Sequence, residues 1–125
     1  MQRAIRIAEM FVRASGTILL LLGIIIWTGH GASLVAAHSA LGVVFVLTLW
    51  VVAAIGIRAK VGIVLPARLL IWGFLIAWFG TAQRQLMVGD LHWVIRVLHL
   101  AVGLIGIGLA EAVSARVGKE QGARG

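Results

Sequence analysis

The sequence contains no cysteine and no tyrosine, a single proline, and only four acidic residues among 125. Without cysteine there can be no disulfide, no thiolate metal site, no cysteine nucleophile and no thioether-linked c-type haem. The few carboxylates form no pair suited to general acid–base chemistry or to proton antiport within the apolar runs. No phosphate-binding glycine loop, HExxH motif or Ser-His-Asp set is present. Charge is also scarce. Charged residues make up 12% of the chain, about half the roughly 25% of soluble domains. Hydrophobic residues make up 62% and the mean hydropathy is +1.09. A chain this short cannot bury so much apolar surface internally, so its natural solvent is lipid.

The apolar residues fall into four runs, at about 14–29, 34–57, 64–82 and 91–113. About 20 residues cross a hydrocarbon core, so each run reads as a transmembrane helix, with flanking residues completing the first and third. Pro66 sits in the first turn of the third run, where its missing N–H is harmless. Asp90 is a candidate N-cap for the fourth. Residues 1–13 alternate charge and apolar bulk and read as an amphipathic interfacial lead-in, with arginine stems reaching toward headgroups. Residues 114–125 read as a cytoplasmic tail, frayed over VGKEQGARG at 117–125. Short connections make successive helices antiparallel neighbours. The expected fold is therefore all-α, a single transmembrane up-down four-helix bundle with helices two and four diagonal across it.

The net charge of +7 resembles a nucleic-acid signature, but its placement points to the lipid bilayer and to no nucleic acid. Arg3, Arg6 and Arg13 precede the first run. Arg58, Lys60 and Arg68 surround the second connection, and Arg116, Lys119 and Arg124 follow the fourth run; the other two loops hold only Arg84. Basic residues stay on the cytoplasmic side. The expectation is a multi-pass protein of the bacterial cytoplasmic membrane with both termini inside.

The histidines carry the chemistry. His38 and His99 lie inside the second and fourth apolar runs, roughly 6–12 Å below the helix starts, each within a His-x-Ala-x-Gly sequence that ends at Gly42 and Gly103. The glycine is one turn along on the same face. A flat macrocycle needs such a pairing: an imidazole to reach the metal, and a missing side chain where the ring edge would meet the helix. Two imidazoles from diagonal helices suit the two axial positions of one non-covalent haem b. His92, Arg96, His99, Gly103 and Gly106 form one helical stripe. Arg96 in an apolar helix is costly unless paired, and a haem propionate about one turn outward of His99 would pair it, with His92 as a second donor. His92 and His99 are only about 10 Å apart along the helix, too close for two stacked haems, so one is expected. Against this stand plainer roles. Arg96 can snorkel outward, and His30 and His92 can be simple interfacial residues. Gly16, Gly23, Gly42, Gly103, Gly106 and Gly108 can serve close helix packing. Trp27 and Trp93 read as interface anchors, and Trp50, Trp72 and Trp78 as bulk or pocket wall. Glu111 reads as a solvated partner of Arg116.

On His38 and His99 in its second and fourth spans, the chain resembles membrane di-histidine cytochromes b. Its layout is similar to one half of the haem A synthase family, a four-span unit with histidines in those two helices. The stretch GDLHWVIRVLHLAVGLIGIGLAE also looks like small bacterial four-span membrane proteins. Only the ligand roles carry over, since Ser39 and Leu100 stand where an arginine often follows the ligand and the synthase's catalytic glutamate has no counterpart. The reading is an electron carrier or subunit rather than a stand-alone enzyme, passing electrons near the outer face, with quinol or a redox protein as partner. The glycine faces also suit a homo-oligomer. Two alternatives belong to other classes: a transition-metal site or transporter built from the four histidines, and a cofactor-free structural or assembly subunit with histidines as polar glue.

Overall fold

The computed structural model describes residues 1–123. Four α-helices account for almost all of them: α1 (Gln2–Trp27), α2 (Val35–Arg58), α3 (Val64–Ala82) and α4 (His92–Gly122), with a single 3-10 turn at Ala32–Leu34 and another at Gln83–Gln85. No strand occurs among the described residues. Each helix is long and apolar enough to cross a membrane, and the chain is a multi-pass, all-α up-down bundle. Neighbours in sequence are neighbours in space, and α1 closes the ring by packing on α4. The square is sheared: α2 and α4 touch across one diagonal, whereas α1 and α3 do not meet.

The connections are built for sharp reversal. α2 ends at Arg58 with Ala59 as its C-cap, and Lys60 (φ 60°) and Gly62 (φ 87°) turn the chain in the left-handed region that stops a helix. Gly89 (φ 106°) does the same before α4. The expected cap by Asp90 is not made. Leu91 occupies the N-cap position without a side-chain bond, and the turn is closed by backbone bonds from His92 N–H to the Gly89 carbonyl and from Val94 N–H to the Leu91 carbonyl, both 3.0 Å.

The helices at the two ends of the chain are longer than their apolar runs. Residues 2–13 are the first turns of α1, alongside the second half of α2, and residues 114–122 continue α4. At 1.5 Å per residue the two helices measure about 39 and 46 Å, against a hydrocarbon core of about 30 Å. The reason is packing. Ile5, Ala8 and Val12 from α1 and Val113 and Val117 from α4 share one buried cluster with Val52, Ala53, Ala59, Val61 and Leu69. An interfacial lead-in lying flat, or a frayed tail, would leave those side chains uncovered. Arg124, counted above with the basic tail, lies outside the described residues.

In lipid, apolar burial does not drive helices together, so close packing and interhelical hydrogen bonds must. Both are present. The Trp50 indole donates to the Leu70 carbonyl (3.2 Å), tying α2 to α3, and the Trp72 indole donates to the Val102 carbonyl (2.8 Å), tying α3 to α4. Four glycines permit contact. A Cβ at Gly16 would lie 2.7 Å from the Ile107 side chain, at Gly56 2.7 Å from Val113, and at Gly106 2.7 Å from Ile76; at Gly73 it would strike the Trp50 indole. Gly23 was grouped with packing glycines by sequence, but its neighbour is a histidine. Gly42, Gly103 and Gly108 face open space. Arg13 bonds Glu9 on its own helix (2.7 Å) and Glu111 on α4 (3.0 Å), so Glu111 is held by Arg13 and not by Arg116.

Gly73→Ala must displace an indole that is already hydrogen-bonded, at a cost of about 1–3 kcal/mol. Thermal unfolding in detergent should show this loss, while Gly118→Ala, where nothing lies within 4 Å, should be neutral or stabilising by up to about 1 kcal/mol. Equal midpoints for the two variants would contradict the packing role of Gly73.

Candidate functional site

His38 lies in the first turn of α2, and His99 two turns into α4. These helices touch across the bundle, and the two imidazoles face one another with ring centroids 6.2 Å apart and planes inclined by 50°. Each ring is partly buried, and each carries an Nδ1 that is shielded from solvent and bonded to nothing. A shielded polar nitrogen without a partner is unfavourable by roughly 1–3 kcal/mol, more so where no water can substitute.

The surroundings repeat on both sides. His38 Cε1 would lie 3.6 Å from a Cβ at Gly23 of α1, and His99 Cε1 would lie 3.7 Å from one at Gly80 of α3. Each histidine therefore leans toward a glycine on the preceding helix. Phe79, buried next to Gly80, stacks on the His99 ring with centroids 5.8 Å apart and planes 13° from parallel. Trp78 continues the aromatic series at 6.2 Å from Phe79 but is largely exposed on the lipid-facing side of α3. Phe79 and Gly80 were not singled out in the sequence. The available signal was that they sit near the histidine end of a span adjacent to the helix that carries His99, which many residues do.

Gly42 and Gly103 are the glycines expected to leave room beside the imidazoles. A Cβ at either would meet nothing within 4 Å, whereas Gly106, the next glycine on the same stripe, is packed tightly. Arg96 is exposed and makes no ion pair among the described residues.

The remaining histidines stay apart from the pair. His92 sits at the start of α4, where its Nδ1 is 3.2 Å from the Leu86 carbonyl and anchors the α3–α4 connection. His30 lies in the α1–α2 connection, with Nδ1 3.3 Å from the Thr28 hydroxyl. Among the described residues no three potential ligands converge. The open grooves on the bundle surface are elsewhere, along α1.

Two imidazoles placed trans across one first-row metal, each nitrogen about 2 Å from it and about 1 Å from its own ring centre, put their centroids roughly 6 Å apart. The observed centroid spacing of 6.2 Å is of that size. Compared with known proteins, the chain matches no family model, no curated protein and no solved structure.

In cofactor-free protein, alanine at Gly42 or Gly103 should leave the unfolding midpoint within about 1 kcal/mol of the wild type. Phe79→Ala, which removes the buried ring stacked on His99, should cost about 3 kcal/mol or more. Circular dichroism on heating in detergent checks the order, and a greater loss from the glycine variants would refute the assignment of open space there.

Proposed function

We propose that this protein is an integral membrane b-type cytochrome that holds one non-covalent haem b between α2 and α4 and works as an electron carrier. The observation that carries the reading is the facing His38–His99 pair, at a ring spacing suited to one metal, with a shielded unbonded nitrogen on each ring. When bound, haem b supplies a one-electron iron couple. The chain's own residues set the conditions. His38 and His99 would together hold the haem iron, and two histidine ligands would favour electron transfer over oxygen chemistry and argue against a stand-alone enzyme. Gly42 and Gly103 leave helix faces uncovered beside the ligands. Arg96, one turn toward the histidine end from His99 and without a partner, is placed to neutralise a carboxylate, with His92 at the same end as a second polar group. Phe79 fixes the plane of the His99 ring by stacking. Burial between apolar helices and the nearby Arg96 charge are the levers on potential. A quinol in the membrane or a redox protein at the histidine end is the natural exchange partner, and the exposed faces allow a homo-oligomer.

The protein purified in detergent from haem-fed cells should show a Soret band and a reduced-minus-oxidised α band. His38→Ala and His99→Ala should each lower bound haem at least tenfold, because each removes one of the two imidazoles that would hold it. A colourless wild type that co-purifies with a larger membrane complex would favour the cofactor-free subunit reading. Metal without a Soret band, lost in His30→Ala or His92→Ala, would favour a histidine metal site.

The proposal extends to placement in a bacterial cytoplasmic membrane with both termini inside, supported by the clustering of basic residues at the end that carries the termini. The absence of cysteine makes the test clean. Val88→Cys, in the α3–α4 connection, should react with an impermeant maleimide on intact cells, and Lys119→Cys only after permeabilisation. The reverse pattern would invert the topology.

A further inference from the structure

A second feature lies at the opposite end of the bundle and is independent of the histidines. An apolar groove of about 470 Å³ runs between α1 and α2, lined by Ala4, Ile7, Ala8 and Phe11 on one side and Val44, Leu47, Thr48, Val51 and Ile55 on the other. Its one polar lining group is spent: the Thr48 hydroxyl donates to the Val44 carbonyl at 2.8 Å. Ile7, Phe11, Leu47 and Val51 are each more than half exposed or close to it, so the trough is open to whatever surrounds the bundle.

The groove has a direction. Along α2 it runs from Val44 to Ile55, about 16 Å at 1.5 Å per residue, which is the depth of one leaflet of a roughly 30 Å hydrocarbon core. Its far end, toward the termini, is marked by cations. Arg58 follows Ile55 by three residues and continues the same helical stripe, and Arg3 precedes Ile7 by four residues on the flank of the α1 stripe. Both are exposed, and neither has an ion-pair partner among the described residues. Arg13, by contrast, is committed to Glu9 and Glu111. A trough one leaflet deep, ending in two unpaired guanidiniums, has the shape and charge of a phospholipid: a chain along the apolar stretch, a phosphate at the end.

We propose that this groove binds one anionic phospholipid, with an acyl chain lying between α1 and α2 and the headgroup phosphate held by Arg3 and Arg58. The full chain in detergent, doped with equal amounts of palmitoyl-oleoyl phosphatidylglycerol and phosphatidylcholine, is examined by native mass spectrometry. One phosphatidylglycerol should be retained in about tenfold preference. The double variant Arg3→Gln/Arg58→Gln should lower that preference to near unity, and Arg58→Gln alone should lower it in part. Arg84→Gln, at the histidine end, should leave it unchanged. Val51→Trp fills the trough without altering charge and should also reduce retention. Excess inorganic phosphate should not displace the lipid, since the acyl chain supplies part of the binding. Helical circular dichroism confirms that each variant is folded. Equal retention of the two lipids, preference that survives the double arginine variant, displacement by phosphate alone, or a dimer that Val51→Trp abolishes would each overturn the proposal.

Discussion

Direct contact between α2 and α4 across the bundle is the constraint on which the rest of the structure depends. A four-helix square with equal diagonals would hold its second and fourth helices apart. Here the shear brings them together and leaves α1 and α3 out of contact. The approach is set in the half of the bundle that carries the termini, where Leu49, Val52 and Val113 are fully buried and where glycine at Gly56 and Gly106 removes the side chains that would keep α2, α3 and α4 apart. The imidazoles of His38 and His99 lie at the other end of the same two helices. Their rings are 6.2 Å apart, on helices whose approach also depends on this distant packing.

The economy of polar groups is what lipid requires. Hydroxyls at Ser15, Thr28, Thr48 and Thr81 bond to carbonyls of their own helices, so they present no unsatisfied group. Two tryptophans use their single donors to join neighbouring helices, each worth of order 0.6 kcal/mol in a membrane setting. Against this background the unbonded imidazole nitrogens of His38 and His99 stand out. Ser114 Oγ and Gln121 Oε1, toward the other end of α4, are also shielded and unbonded, but only the two imidazoles lie opposite one another, and a metal is a partner of the kind imidazole takes.

Charge is divided by end. The histidine end carries little beyond Arg84, Asp90 and Arg96, while the terminal end gathers most of the basic residues. The Glu9–Arg13–Glu111 bridge pins α1 to α4, but its groups are 27–60% exposed, so it orients the helices more than it stabilises them.

Four apolar runs, separated by short polar connections, determined by themselves the number of helices, their alternation in direction and their affinity for lipid, because backbone in hydrocarbon can only be helical when its hydrogen bonds must be internal. The same periodicity put His38 and His99 at similar depth. It could not show that residues 2–13 and 114–122 are packed helix, because the apolar side chains buried there, Ile5, Ala8 and Val117 among them, are interleaved with arginine, lysine and glutamate, and only the partner helix decides which face is covered. Nor could it separate one glycine from another: Gly73 and Gly106 are filled by neighbouring side chains, Gly23 and Gly80 sit against imidazoles, and Gly42 and Gly103 face open space. Those roles, the stacking of Phe79 on His99 and the pairing of Arg13 with Glu111 were decided only by the tertiary structure. They depend on distances between helices, and a one-dimensional pattern records which face a residue occupies but not what stands opposite it.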